Sequence, residues 1–383
     1  MSDKTQSSQS VLRDMKPSKA IVKLAVPATL ALLAKAVYNI VDTAYIGMLD
    51  SDIALTAVGV TIPLLLIMVS IENIFAAGAA VLAGRQLGAK DENEASRTVT
   101  TVIGLSVIIG VVLCVGGIIF IEPLLISFGA STESLPLAKD YAFWMFIAAL
   151  ANLPAQSMNC AARAESSVKI SSVAVITGAV LNVVLDPVFM FDWGLNMGVE
   201  GASLATTVSQ FVTFAILAWF YLSGRSVIKL RAKAFRPSWN LIKTVTAIGI
   251  PTAVIQICLS VAASLTNIVA KPLILLFNRN PIFVEYGKNL LISQVALYPA
   301  FGLCYMMTIT FQTIGSSEYG LFLSVIRQGL FYAPFILALP KFLGITGIYL
   351  AQPLADVLTL LVCVFSIKSM KRIASANMGT LTE

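Results

Sequence analysis

The sequence predicts an all-α, polytopic membrane protein built from two pseudo-symmetric helical bundles, and three observations carry that prediction. Apolar side chains make up 57% of the 383 residues and charged ones only 12%, roughly half the charge of a soluble domain, so there is too little polar surface to face water on every side. Apolar stretches of about 20 residues or more, enough to cross a bilayer, recur from end to end. Short motifs also recur in the same order on either side of a basic stretch. A compact soluble enzyme is excluded.

The elements follow in order. Residues 1–18 are polar and rich in Ser, Gln and Lys, and read as a disordered cytosolic tail. The first apolar run is too long for a signal peptide and reads as an uncleaved span. Ten helical spans are expected, at about 20–48, 53–82, 97–127, 137–163, 168–191, 199–223, 241–270, 284–313, 319–339 and 345–367. With the amino terminus inside, twenty basic residues fall on the inner side, including Arg85, Lys90, Arg97, Arg163, Lys169 and the run from Arg225 to Lys243. Five fall outside (Lys139, Lys271, Arg279, Lys288, Lys341), and Lys35 lies within span 1. That asymmetry places both termini in the cytoplasm. It also explains the net charge of +6 by topology, so no nucleic-acid partner is implied. Trp193, Trp219 and Trp239 sit near span ends, where interfacial anchors belong.

The basic stretch separates two similar halves. Leu24-Ala25-Val26-Pro27 is answered by Ile248-Gly249-Ile250-Pro251, 224 residues later; Glu122–Phe128 is answered by Lys271–Phe277 at an offset of 149, and Gly198–Ala205 by Gly344–Ala351 at 146. The drop in offset places a loss of about 75 residues near Ala270, matching spans 2 and 3 of the first half. Twelve spans are therefore expected of the architecture, with about ten visible. The resulting organisation is a tail (1–18), an amino-terminal six-helix lobe (19–224), a basic cytosolic linker (225–240), a carboxy-terminal lobe lacking two helices after Ala270 (241–372), and a terminal tail (373–383).

Histidine is absent, and the five cysteines are scattered without CxxC spacing. This removes imidazole metal sites and Ser-His or Cys-His nucleophiles, and neither a metal nor another cofactor is expected. What remains is a handful of polar residues inside apolar spans, where each is costly and a functional candidate. Span 1 carries Lys35 and Asp42 two turns apart, with Asn39 between them; span 2 carries Glu72; span 5 carries Asn182 and Asp186 at i,i+4; span 6 carries Ser203, Thr206 and Thr207. Two carboxylates in a low-dielectric bundle cannot both stay ionised without a cation, and Asp42, Asn182, Asp186 and Thr206 offer the hard oxygen ligands of a cation site. The alternative is structural: Lys35 pairs with Glu72 or Asp42, and Asp186 caps a span end beside Pro187. Pro27 is a candidate hinge. Tyr38, Asn39 and Gln256 are candidates for a substrate cavity. Gln256, Gln294, Gln312 and Asp356 also suit helix–helix hydrogen bonds.

These residues carry a resemblance. Pro27, the run Tyr38-Asn39-Ile40-Val41-Asp42-Thr43, the loop Arg85-Gln86-Leu87-Gly88-Ala89-Lys90-Asp91, Leu181–Pro187 and Gly198–Thr206 together resemble the multidrug and toxic compound extrusion (MATE) family, most closely its bacterial drug-efflux branch. The resemblance implies two six-helix bundles working by rocker-switch antiport, a monomer in the bacterial inner membrane that exports amphipathic organic cations in exchange for H+ or Na+. It also implies that Asp42, Asn182, Asp186 and Thr206 form the coupling site. Thr266 stands where span 7 would repeat Asp42, and Lys35 and Glu72 depart from the family pattern as a possible private charge pair. An exporter of a lipid-linked envelope intermediate would share the fold, but would line its cavity with several Arg or Lys, of which Lys35 is the one candidate. An intramembrane aspartyl protease using Asp42 and Asp186 lacks a Gly-x-Gly-Asp segment around either residue.

Overall fold

The computed structural model describes residues 17–49, 51–274, 298–313 and 316–379. The described residues are helical, with no strand among them. The first helices are α1 (Pro17–Gly47), α2 (Asp52–Gly88), α3 (Glu92–Ile119), α4 (Ile121–Ser127), α5 (Leu135–Ala164), α6 (Val168–Met190) and α7 (Val199–Leu222). After a 3-10 turn at Ala232–Ala234 come α8 (Trp239–Ile274), α9 (Tyr298–Thr313), α10 (Ser317–Val325), a π-helical segment (Ile326–Tyr332), α11 (Ala333–Leu343) and α12 (Ile345–Gly379). Seven helices among the described residues are long and apolar enough to cross a membrane. Their outward faces carry large apolar side chains such as Leu222, Phe342 and Phe365, each more than two-thirds exposed, as lipid contact requires.

Several boundaries differ from the sequence reading. Span 3 is two helices, because α3 ends at Phe120 and α4 restarts with Pro123 in its first turn. Span 9 contains the π-helical segment. Pro17 and Ser18 already belong to α1, and the terminal stretch after residue 372 stays helical to Gly379. The rest of the amino-terminal tail, the proposed loss after Ala270 as far as it concerns residues 275–297, and Gln294 lie outside the described residues.

The chain forms two compact units, one comprising residues up to Met68 with Glu72–Thr246, the other Val69–Ile71 with the residues from Ala247 onward. In the first unit α7 packs on α5 and α6, α3 on α5, and α1 on α6. Small residues make this close packing possible. Ala83, Ala155, Ala161, Ala162 and Ala174 are buried with Leu217, Phe220 and Ile228 at one end of the bundle, and short side chains let helices approach in a membrane protein. Hydroxyls tie the helices across these seams: Ser106 to Ser157 at 2.9 Å, Thr207 to the Trp144 carbonyl at 2.9 Å, and Tyr221 to the Met158 carbonyl at 3.0 Å. In the second unit α11, α12 and the π-helical segment pack together around Tyr332, Ile336, Ile348, Ala351 and Ala355.

The two halves share one local device. Gly198 opens α7 with φ 55° and ψ −128°, and Gly344 precedes α12 with φ 57° and ψ −136°, backbone angles that disfavour any side chain. Three residues on, a Cβ at Gly201 would lie 2.7 Å from the Phe189 carbonyl, and one at Gly347 would lie 2.4 Å from the Leu339 carbonyl. Each Gly-x-x-Gly thus lets a helix turn tightly and press against the end of the preceding one.

Candidate functional site

The α6–α7 hairpin builds the centre of the site. Asn182 and Asp186, one turn apart on α6, face Thr206 on α7 because the chain reverses through 191–198, where the Leu195, Met197 and Gly198 amides donate back to the Val188, Phe189 and Met190 carbonyls. Asn182 spends both amide hydrogens in the cluster: Nδ2 donates to Asp186 Oδ1 at 3.0 Å and to Thr206 Oγ1 at 3.1 Å. Asp186 is fully buried. Asp42 on α1 is near enough to act on Asp186 electrostatically, as α1 packs along α6. The structure therefore brings together the four residues singled out as a coupling site.

Their remaining valences are unusual. Asp42 Oδ1, Asn182 Oδ1 and Asp186 Oδ2 are buried and receive no hydrogen bond from the described residues. Buried oxygens are normally satisfied, and two carboxylates repel in a medium of low dielectric. Oxygens short of donors beside like charges form a chemical environment that accepts a cation, either a proton or a hard metal ion.

Lys35 and Glu72 are arranged differently from a simple pair. Glu72 is 5% exposed, and its Oε2 accepts from Asn152 Nδ2 at 2.9 Å. Lys35 interacts with it electrostatically, but no Lys35–Glu72 contact is among the ion pairs within 4.0 Å of the described residues. Instead Lys35 opens onto a cavity of about 100 Å3 inside the first bundle. Tyr38, Asn182 and Thr206 line the same cavity, as do Asn152 and Arg163. Asn39 and Gln256 are not among its described lining residues, and α1 runs unbroken through Pro27.

Two features escaped the sequence. Arg163 reads there as one more inner-loop charge, yet it lines the cavity with Lys35, so Lys35 is not the one basic candidate. Glu165, at the α5–α6 turn, is 3% exposed, and its Oε2 accepts from Ser226 Oγ at 2.7 Å, Val227 N at 3.1 Å and Ile228 N at 3.2 Å. It thereby fastens the linker to the first bundle. Burial pushes its carboxyl up to about 7, against the bonds from Ser226 and the linker amides.

The second unit carries a contrasting arrangement. Asp356 Oδ1 accepts from Arg327 Nε at 2.7 Å and from Gln352 Nε2 at 2.9 Å, with the Arg327 side chain 14% exposed. Asp356 is thus an ion-pair partner rather than a simple helix–helix hydrogen-bonding residue. By the 146-residue offset, Gln328 and Gln352 stand where the first half has Asn182 and Thr206, so the second bundle supplies its own cation.

The MatE family model matches residues 27–188, a stretch that takes in most of α1 and α6 with the acids Asp42 and Asp186. Over that stretch, less than half of its length, the chain is similar to the MatE family. The multidrug export protein MepA of Staphylococcus aureus (strain MRSA252) is 25% identical over 286 residues, which cover 75% of this chain and 62% of the relative. MepA of Staphylococcus haemolyticus (strain JCSC1435) is 24% identical over 250 residues, covering 65% of this chain and 55% of the relative. The chain thus spans less than two-thirds of the length of those relatives. Among solved structures, the outward-facing conformation of a multidrug resistance MATE family transporter of the MOP superfamily superposes with a TM-score of 0.80 at 20% identity, covering 95% of this chain and 98% of the other. A MOP superfamily transporter from Pyrococcus furiosus does so with a TM-score of 0.74 at 21% identity, covering 94% and 98%. Together they establish the fold.

Proposed function

We propose that this protein is a MATE family carrier and not an enzyme: an antiporter, working as a monomer in a bacterial inner membrane with both termini cytoplasmic, that exports amphipathic organic compounds in exchange for H+ or Na+. The observation that carries the reading is the set of buried oxygens without donors on Asp42, Asn182 and Asp186, set beside a second unit whose buried Asp356 is already paired with Arg327. Among the described residues, one acid cluster lacks a paired counter-charge and the other has one. Coupling is therefore assigned to the first bundle.

Antiport follows from charge. With the acids unloaded, the bundle holds repelling carboxylates in low dielectric; with a cation loaded, that repulsion is relieved, and the two states differ in which packing they favour. A gradient that loads the site from one side then biases the cycle. The names of the MepA relatives support drugs as cargo.

The test is gradient-driven efflux of ethidium from cells or proteoliposomes. Asp42→Asn and Asp186→Asn should each abolish efflux while membrane insertion stays normal. Full efflux in both variants would remove the coupling assignment.

A further inference from the structure

The cavity beside Lys35 has a polarity that a carrier of simple organic cations does not need. Its two charged lining residues among those described are Lys35 and Arg163, and no Asp or Glu lines it. They are close enough to repel one another. Three acids, Asp42, Glu72 and Asp186, act on Tyr38 from nearby without lining the cavity. Two of them are bonded to amides that do line it: Asn152 donates to Glu72 and Asn182 donates to Asp186. A cationic group entering here would meet ammonium, guanidinium and the carbonyl ends of amides. An anionic group would find an exposed lysine with a phenol one turn along the same helix.

We propose that this cavity is a subsite for an acidic group of the substrate, with Lys35 as its principal partner, so that the preferred cargo is zwitterionic rather than purely cationic. The inference rests on the export reading for what the cavity serves. Its size sets the ligand's dimensions. About 100 Å3 is well below the several hundred Å3 that enclose a drug-sized molecule. It suits a carboxylate, sulfonate or phosphate group while the apolar body of the molecule lies beyond it. Lys35 is a compact point charge able to meet any of these, and it approaches as a charge-assisted donor. The arrangement mirrors the acid cluster: like charges held close on each side, with Asn182 common to both.

The experiment uses two dyes that share one xanthene cation, rhodamine 110 with a free carboxylate and rhodamine 123 with that carboxylate methylated. Their equilibrium binding to the purified full chain in nanodiscs is followed by fluorescence polarisation with no ion gradient. Wild type should bind rhodamine 110 about tenfold more tightly than rhodamine 123, the worth of one hydrogen bond to a charged group. Lys35→Gln should erase the preference and Lys35→Arg should retain most of it. Equal affinity for the two dyes in wild type, tighter binding of rhodamine 123, or a preference that survives Lys35→Gln would each overturn the proposal. Inorganic phosphate added as competitor should weaken rhodamine 110 selectively; if it weakens both dyes equally, the acidic group is not held at this cavity and the proposal fails. Because this assay measures no transport, absence of gradient-driven efflux by wild type with the dye preference intact would refute the export reading alone.

Discussion

Raising the pH from 5 to 8 should loosen the linker's hold on the first bundle, and Glu165 sets both the direction and the size of the effect. In the closed state burial raises its carboxyl to about 7 from an ordinary value of 4.5. When the linker around Ser226–Ile228 lifts away, the carboxyl returns to water and to its ordinary value. The closed form therefore holds a proton that the open form releases between those two values. A raised acid of this kind contributes its stabilisation fully below 4.5, loses it as the pH climbs, and has lost it above about 7. The difference amounts to about 3 kcal/mol at most, or roughly a hundredfold in the opening equilibrium. The readout is hydrogen exchange at the Val227 and Ile228 amides, which donate to Glu165 at 3.1 and 3.2 Å, after correction for the intrinsic pH dependence of exchange. Protection should fall with rising pH in wild type and stay level in Glu165→Gln. Protection that rises with pH, or an equal slope in Glu165→Gln, would refute the reasoning.

Two further outcomes follow from packing and charge. Gly201→Ala and Gly347→Ala should each lower stability by roughly 1–3 kcal/mol in thermal unfolding, since each new methyl meets a backbone carbonyl rather than a movable side chain. Of the two, Gly201→Ala should also reduce efflux, because it separates the end of α6 from α7 where Asn182 meets Thr206 at 3.1 Å. Asp356→Asn should cost roughly 3–5 kcal/mol, as it removes the carboxylate from a largely buried Arg327. Asp186→Asn should leave stability within about 1 kcal/mol of wild type, since it removes a charge that has no paired cation among the described residues.

The acids of the site were legible because hydropathy makes them conspicuous: a carboxylate inside an apolar span is rare, and the i,i+4 spacing of Asn182 and Asp186 puts both on one helix face. Arg163 was misread because it stands at the end of its span, where basic residues are expected to accumulate for topology, and only the packing of α5 turns it into a cavity. Asn152 was passed over for another reason. An amide in an α5 face full of Ala looks like ordinary helix–helix glue until Glu72, eighty residues earlier, is seen against it. Boundaries inside continuous apolar runs failed similarly. Hydropathy does not change at Phe120 or across Ile326–Tyr332, so neither the break before α4 nor the π-helical segment leaves a trace in an apolar profile. Pro123, whose ring restricts the residue before it, was the local signal for the first.

The repeat sharpens the functional argument, because it supplies an internal control. Both halves keep the Gly-x-x-Gly turn with nearly the same backbone angles, so the hairpin geometry is common to them and does not by itself create a coupling site. What differs is charge. In the second unit Arg327 and Gln352 meet Asp356 from within the bundle. In the first, Asn182 donates to one oxygen of Asp186 and the other has no donor among the described residues, while Lys35, the nearby cation on α1, lines a cavity together with Asn152 and Asn182, the amides bonded to Glu72 and Asp186. A fixed cation within reach of Asp186 would neutralise the cluster permanently and decouple it from any gradient. Placing Lys35 in that cavity keeps the acids available to a mobile cation and leaves its own charge for the substrate. On this reading the two asparagines separate the driving ion from the cargo. Replacing Asn182 with Ala should then weaken coupling and charge selectivity together, where Asp186→Asn affects coupling alone.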